Sequence, residues 1–106
     1  MKFKYDNKTI DIIECKTFFS RLKGFMLKKE INYALLFDKC NSIHTFFMKN
    51  NIDVIMCDKD NKVLYYYNNL CKRRIIWPKK DVHKTFELPV NYFNINVGDV
   101  IHIKKV

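Results

Sequence analysis

The stretch NNIDVIMCDKDNKVLYYY, residues 50–67, decides the fold. Two apolar runs, DVIMC and VLYYY, flank Asp58, Lys59, Asp60, Asn61 and Lys62, a polar reversal built from turn-forming residues, so the pair reads as a β-hairpin. Side chains alternate faces along a strand, which puts Asp53, Ile55 and Cys57 on one face and Ile52, Val54 and Met56 on the other. Both faces are apolar, the pattern of a strand buried on two sides. Asp53 is the exception, and it must find hydrogen-bond partners or sit at the solvated end of its strand.

Outward from that hairpin the chain continues in β. KFKY and TIDII flank Asp6, Asn7 and Lys8 and predict an opening hairpin. Strands are expected at YALLF, SIHTFFM, CKRRIIW, KTFEL and VIHIKKV, with Pro78 and Pro89 as stops and Gly98 in the turn before the last. In SIHTFFM, alternation sets His44, Phe46 and Met48 opposite Ile43, Thr45 and Phe47. One helix is signalled near residues 17–23, where Thr17 caps FFSRLK and Gly24 ends it. Seven or eight of these short strands and one short helix predict an all-β, mainly antiparallel fold, a small β-barrel or jelly-roll-like sandwich, as a single domain over residues 1–106.

Of the 106 residues 48% are hydrophobic and 15% aromatic, enough for a core of its own. The balance of 20 basic and 11 acidic residues, +9, would attract nucleic acid or an anionic membrane surface, yet the only arginines are Arg21, Arg73 and Arg74, and a lysine-rich solvated surface explains the excess as well. Cys15, Cys40, Cys57 and Cys71 form no Cys-x-x-Cys pair and read as free thiols in a reducing compartment; Cys40 and His44 offer two metal ligands without a second pair, so no metal and no cofactor is expected. MKFKYDNKTI lacks the continuous apolar core of a secretory signal, and no run reaches the roughly 20 residues of a membrane span. A soluble cytoplasmic protein is expected, export requiring a signal segment beyond this chain.

Chemistry has few carriers. Ser20 and Ser42 lack a glycine-rich elbow, and no phosphate-cradling loop exists. Asp53 reads either as an acceptor for backbone amides in the turn at Asn50 and Asn51 or as the partner of Arg21 in an anion-binding pocket. His44 reads as a satisfied structural histidine or a ligand-binding group, and Glu87 interrupts an apolar strand as Asp53 does. His83 and His102 read as surface residues.

SRLKGFM (residues 20–26), ALLFD (34–38), HTFFMKNNIDVIMCDKDNKV (44–63), FELP (86–89) and NVGDVIHI (96–103) together resemble the domain of unknown function 192 family, over nearly the whole chain and in the family's order. Arg21, Gly24, Met26, Met48, Asp53, Glu87, Gly98 and Asp99 fall on the family's characteristic positions, while Phe25 and Phe47 replace its usual Leu and Trp. The resemblance implies a small β-barrel or jelly-roll-like fold with no assigned reaction, and a polar cluster at one end of the barrel holding His44 and Asp53, joined by Arg21 and Glu87. The expected function is a non-enzymatic binding or accessory module, with Arg21, His44, Met48, Asp53 and Glu87 binding a small polar or anionic ligand or a protein partner. The alternatives are single-stranded nucleic-acid binding on a lysine-rich face with Tyr65, Tyr66, Tyr67 or Tyr92 for stacking, and an acid–base enzyme using Asp53 and Glu87.

Overall fold

Asp6 and Asn7 take φ values of 50° and 64°, the left-handed backbone of a two-residue hairpin turn, and so Lys2–Tyr5 (β1) folds back on Lys8–Glu14 (β2) with Tyr5 opposite Lys8. The computed structural model describes residues 1–104. The remaining elements are the helix Phe18–Lys23 (α1) and strands Ala34–Asp38 (β3), Ile43–His44 (β4), Ile52–Cys57 (β5), Val63–Leu70 (β6), Ile75–Ile76 (β7), Lys84–Leu88 (β8) and His102–Lys104 (β9).

Seven strands form one sheet in the order β6-β5-β8-β3-β2-β1-β9, and β4 pairs with β7 as a separate ribbon. Among the described residues, only β2 and β3 run parallel. The sheet curls into a half-barrel until its two edges approach: Lys62 bridges Val100, and the Val63 amide donates to the Asp99 carbonyl at 2.8 Å. Closure of this kind hides edges that would otherwise invite pairing with another chain. The all-β, mainly antiparallel expectation therefore holds.

Apolar side chains bury both faces. Phe3, Ile10, Leu36, Ile55, Phe86, Phe93 and Ile101 belong to one cluster, and Phe25, Leu35, Phe37, Met48, Val54, Met56 and Ile76 to the other. The alternation read from IDVIMC is realised: Ile55 and Cys57 enter the first cluster, and Ile52, Val54 and Met56 the second.

Two expected strands shrink to two residues each. SIHTFFM keeps only Ile43–His44, because Phe47 turns to φ 63° and breaks the extended run. CKRRIIW keeps only Ile75–Ile76, Arg73 adopting φ 61° in the turn ahead of it. The described part of VIHIKKV pairs with β1 through His102–Lys104; Lys105 and Val106 lie outside the described residues.

Candidate functional site

Glu87 sits in the middle of β8, opposite Leu35 of β3 on one side and Val54 of β5 on the other. Residues directly opposite in antiparallel strands share a face, so its carboxyl emerges between apolar neighbours on the face that α1 covers. It is only 3% exposed. Burial pushes its carboxyl up to about 8, only partly offset by the backbone amide of Phe25, and so the group is mostly protonated at neutral pH. Among the described residues, Glu87 Oε1 is the buried side-chain oxygen or nitrogen that has no hydrogen-bond partner.

The end of α1 lies over this carboxyl. Thr17 and Ser20 close a capping box, each backbone amide donating to the other's hydroxyl at 3.0 Å, which starts the short helix in spite of its length. Gly24 ends it at φ 49°, ψ −128°, its amide donating to the Ser20 carbonyl. A Cβ at Gly24 would lie 2.9 Å from Glu87 Oε1. Glycine is thus required twice, for the backbone conformation and for the close approach to the acid.

Between helix end, sheet and ribbon lies a cavity of about 270 Å³ lined by Arg21, Leu22, Lys23, Gly24, Phe37, Cys40, Ser42, Ile43, His44, Met48 and Glu87. Its body is apolar and its polar groups converge from separate elements, the usual make-up of a small-ligand site. Arg21 is held at the margin, its Nη1 donating to the Asp38 carbonyl at 2.7 Å and its Nη2 to that of Lys39 at 3.4 Å. His44 Nδ1 accepts from the Phe46 amide at 3.2 Å; with that nitrogen as an acceptor, the neutral ring carries its proton on Nε2. The Cys40 thiol donates to the Ser42 carbonyl at 3.1 Å. Among the described residues no three His, Cys, Asp or Glu side chains gather as a metal site.

Four of the five expected site residues, Arg21, His44, Met48 and Glu87, therefore meet at one cavity. Asp53 does not. Leu88 stands opposite Asp53 while Glu87 stands opposite Val54, so the two acids project to opposite faces of the sheet. The Arg21–Asp53 pair and the Asp53–Glu87 dyad are corrected on that ground. The turn expected of Asp53 is also a different one: Oδ1 accepts from the Asn69 amide at 2.7 Å and from Asn68 Nδ2 at 2.9 Å, and Oδ2 from the Asn91 amide at 3.0 Å and Tyr66 Oη at 3.1 Å. Asn69 and Asn91 have φ of 56° and 59°, and the β5–β6 register shifts between Ile52 and Val54. Asp53 thus fastens a bulge and a second turn. Burial, and then the charge of Asp53, push the Tyr66 hydroxyl up to about 12, keeping it a donor.

Sequence reading passed over Ile43 and Phe37 as lining residues and gave Gly24 only a helix-ending role. The available signal was that Gly24 is one of just two glycines.

The family model of domain of unknown function 192, described as Uncharacterized ACR, matches residues 1–103. The UPF0127 protein of Thermococcus sibiricus (strain DSM 12597 / MM 739) is 39% identical over 98 residues, 80% of this chain and 60% of its own length. That of Thermococcus kodakarensis is 37% identical over 94 residues, 80% of this chain and 59% of the relative. The chain thus spans about three-fifths of the length of these curated relatives. Among solved structures, a protein of unknown function from Novosphingobium aromaticivorans DSM 12444 shares the fold at TM-score 0.78 and 14% identity, over 90% of this chain and 76% of that one. A Sinorhizobium meliloti 1021 protein, described provisionally as a transcription regulator, matches at TM-score 0.77 and 14% identity, over 90% and 82%. The chain belongs to the domain of unknown function 192 family.

Proposed function

We propose that this member of the domain of unknown function 192 family is a non-enzymatic binding module that takes a small, largely apolar ligand in the cavity beneath α1. One observation carries the reading: Glu87 lines the cavity and its buried Oε1 has no hydrogen-bond partner, and an unmet polar group inside a protein costs about 1–3 kcal/mol unless something satisfies it. Held protonated by burial, that carboxyl donates a hydrogen bond, so the matching ligand group is a neutral acceptor such as a carbonyl. Phe37, Ile43 and Met48 pack the ligand's body, and Arg21 and Lys23 accommodate a polar or anionic end at the mouth. A cationic amine fits poorly, since it would have to ionise Glu87 in apolar surroundings.

The test is an amide NMR titration of the full chain with short acyl amides and hydrocarbons of the same shape. Carbonyl probes should shift Gly24, Phe25, Ile43 and His44 together, and hydrocarbons should bind at least tenfold more weakly. Equal binding of both sets, or shifts located elsewhere, would overturn it.

A second reading, single-stranded nucleic acid on β6, rests on Tyr65 and Tyr67, whose rings lie nearly parallel at 6.5 Å with Lys79 Nζ 5.6 Å from the Tyr65 ring centre, an arrangement suited to base stacking. Tyr66 and Tyr92 drop out of it, because their hydroxyls are engaged by Asp53 and by the Thr9 carbonyl. A salt-sensitive gel shift that survives Tyr65→Ala/Tyr67→Ala would dismiss this reading.

A further inference from the structure

The β4–β7 ribbon carries a second apolar surface, which adjoins the Glu87 cavity through Ser42, Ile43 and His44. Along β7 the exposure alternates, Ile75 at 45%, Ile76 at 6% and Trp77 at 69%, so Ile75 and Trp77 face outward together. With Phe46 they line a shallow concavity beside Ile43 and Pro78. Phe47, next in the chain to Phe46, is 70% exposed, and its carbonyl accepts from the amide of exposed Leu27 at 3.0 Å.

Cations flank this patch along the chain. Residues 71–80, CKRRIIWPKK, hold Lys72, Arg73, Arg74, Lys79 and Lys80 with no acid, and include two of the chain's three arginines. The ion pairs among the described residues are Lys2–Asp11 and His83–Asp38, which involve none of these cations. The turn that presents them is pinned by buried Thr45: its amide donates to the Arg74 carbonyl at 2.8 Å, its carbonyl accepts from the Arg73 amide at 3.2 Å, and its hydroxyl donates to the Cys71 carbonyl and accepts from the Arg74 amide, both at 2.8 Å. Such a turn offers its charges with little ordering cost.

We infer that this face docks peripherally on an anionic lipid bilayer, with Trp77, Ile75, Phe46 and Phe47 entering the headgroup boundary and the flanking cations meeting the lipid's negative charge. Tryptophan favours that boundary, and clustered basic residues beside inserted apolar ones are the chemistry that holds proteins on anionic leaflets. Exposed aliphatic side chains favour lipid over nucleic acid, because Ile75 and Leu27 gain nothing from base stacking. No helix of the described residues is long and apolar enough to cross a membrane.

Trp77 is the only tryptophan in the chain, which makes its fluorescence a direct reporter. Vesicles of phosphatidylcholine with 30% phosphatidylserine should shift its emission to the blue, and brominated lipid should quench it. Pure phosphatidylcholine should leave it unchanged. Co-sedimentation should weaken at least tenfold in 0.5 M salt, in the Arg73→Ala/Arg74→Ala variant and in Trp77→Ala, while Glu87→Leu should sediment like the parent chain. No blue shift at 1 mM anionic lipid overturns the inference, and so does equal binding to neutral vesicles. Quenching of Trp77 by oligouridine without vesicle binding would assign the face to nucleic acid instead, and burial of Trp77 by self-association would assign it to a second copy.

Discussion

Asp53 and Glu87 lie on neighbouring, directly paired strands, one residue out of step, and both are almost fully buried. Their surroundings are opposite. Asp53 accepts from two backbone amides, an asparagine and a tyrosine, whereas Glu87 is packed between Leu35 and Val54 and keeps an oxygen with no partner. Folding accounts for the first acid completely. It leaves the second with a free hydrogen-bonding group at a cavity, and that residue is the one to examine for binding.

The contrast breaks most visibly at Asp53. Asp53→Ala should strand four donors and release both the β5–β6 bulge and the Asn91 turn, at a cost of about 3–5 kcal/mol, read from urea unfolding. A loss under about 1 kcal/mol would mean the four hydrogen bonds do not brace the sheet. Gly24→Ala comes next. The backbone at φ 49°, ψ −128° is open essentially to glycine alone, and the new methyl would press on Glu87 Oε1. A loss of about 2 kcal/mol is expected, with altered amide shifts confined to the cavity wall; an unperturbed Glu87 neighbourhood would show that helix end and acid are not in contact.

The strand pattern of the central hairpin was legible because a doubly buried strand leaves a plain mark, apolar at every position, and a single acid stands out against it. Which face that acid takes was not. Asp53 and Glu87 look alike in IDVIMC and KTFEL, and only the register of β5 against β8, set by contacts between strands remote in sequence, separates them. Arg21, His44 and Met48 line one cavity with Glu87, whereas the polar cluster implied by the resemblance also counted Asp53, which the register sends to the other face. Phe46 and Phe47 misled the strand reading for a different reason: aromatic content predicts a strand wherever the side chains bury, and these two instead stand exposed on a loop that Thr45 pins to the Arg74 turn.

Titration sharpens the comparison further. The unfolded chain loses the Glu87 proton near its ordinary value of 4.5, while the folded protein holds it to about 8. Between those limits the unfolded state binds fewer protons, so stability falls as pH rises, by up to about 1.4 kcal/mol per pH unit. The contribution is whole below 4.5 and gone once pH has passed through 8. Urea unfolding at pH 5, 6.5 and 8, run beside Glu87→Gln, should show this slope in the parent and its loss in the variant; parallel pH profiles would refute it.

The smallest expected change in stability is also the most discriminating. Glu87→Leu removes an oxygen that has nothing to satisfy it, at the loss of the one hydrogen bond from the Phe25 amide, and leaves a side chain of similar bulk among Leu35, Phe37 and Val54, so at pH 6 stability should change by less than about 1 kcal/mol. Binding of acyl amides should nonetheless drop at least tenfold, with hydrocarbon probes unaffected, because only the hydrogen bond is lost. Asp53→Leu should do the reverse, destabilising strongly while leaving the cavity wall intact. Were Glu87→Leu to cost as much as Asp53→Ala, Glu87 would be a second brace, and the unpartnered oxygen would carry no message about ligands.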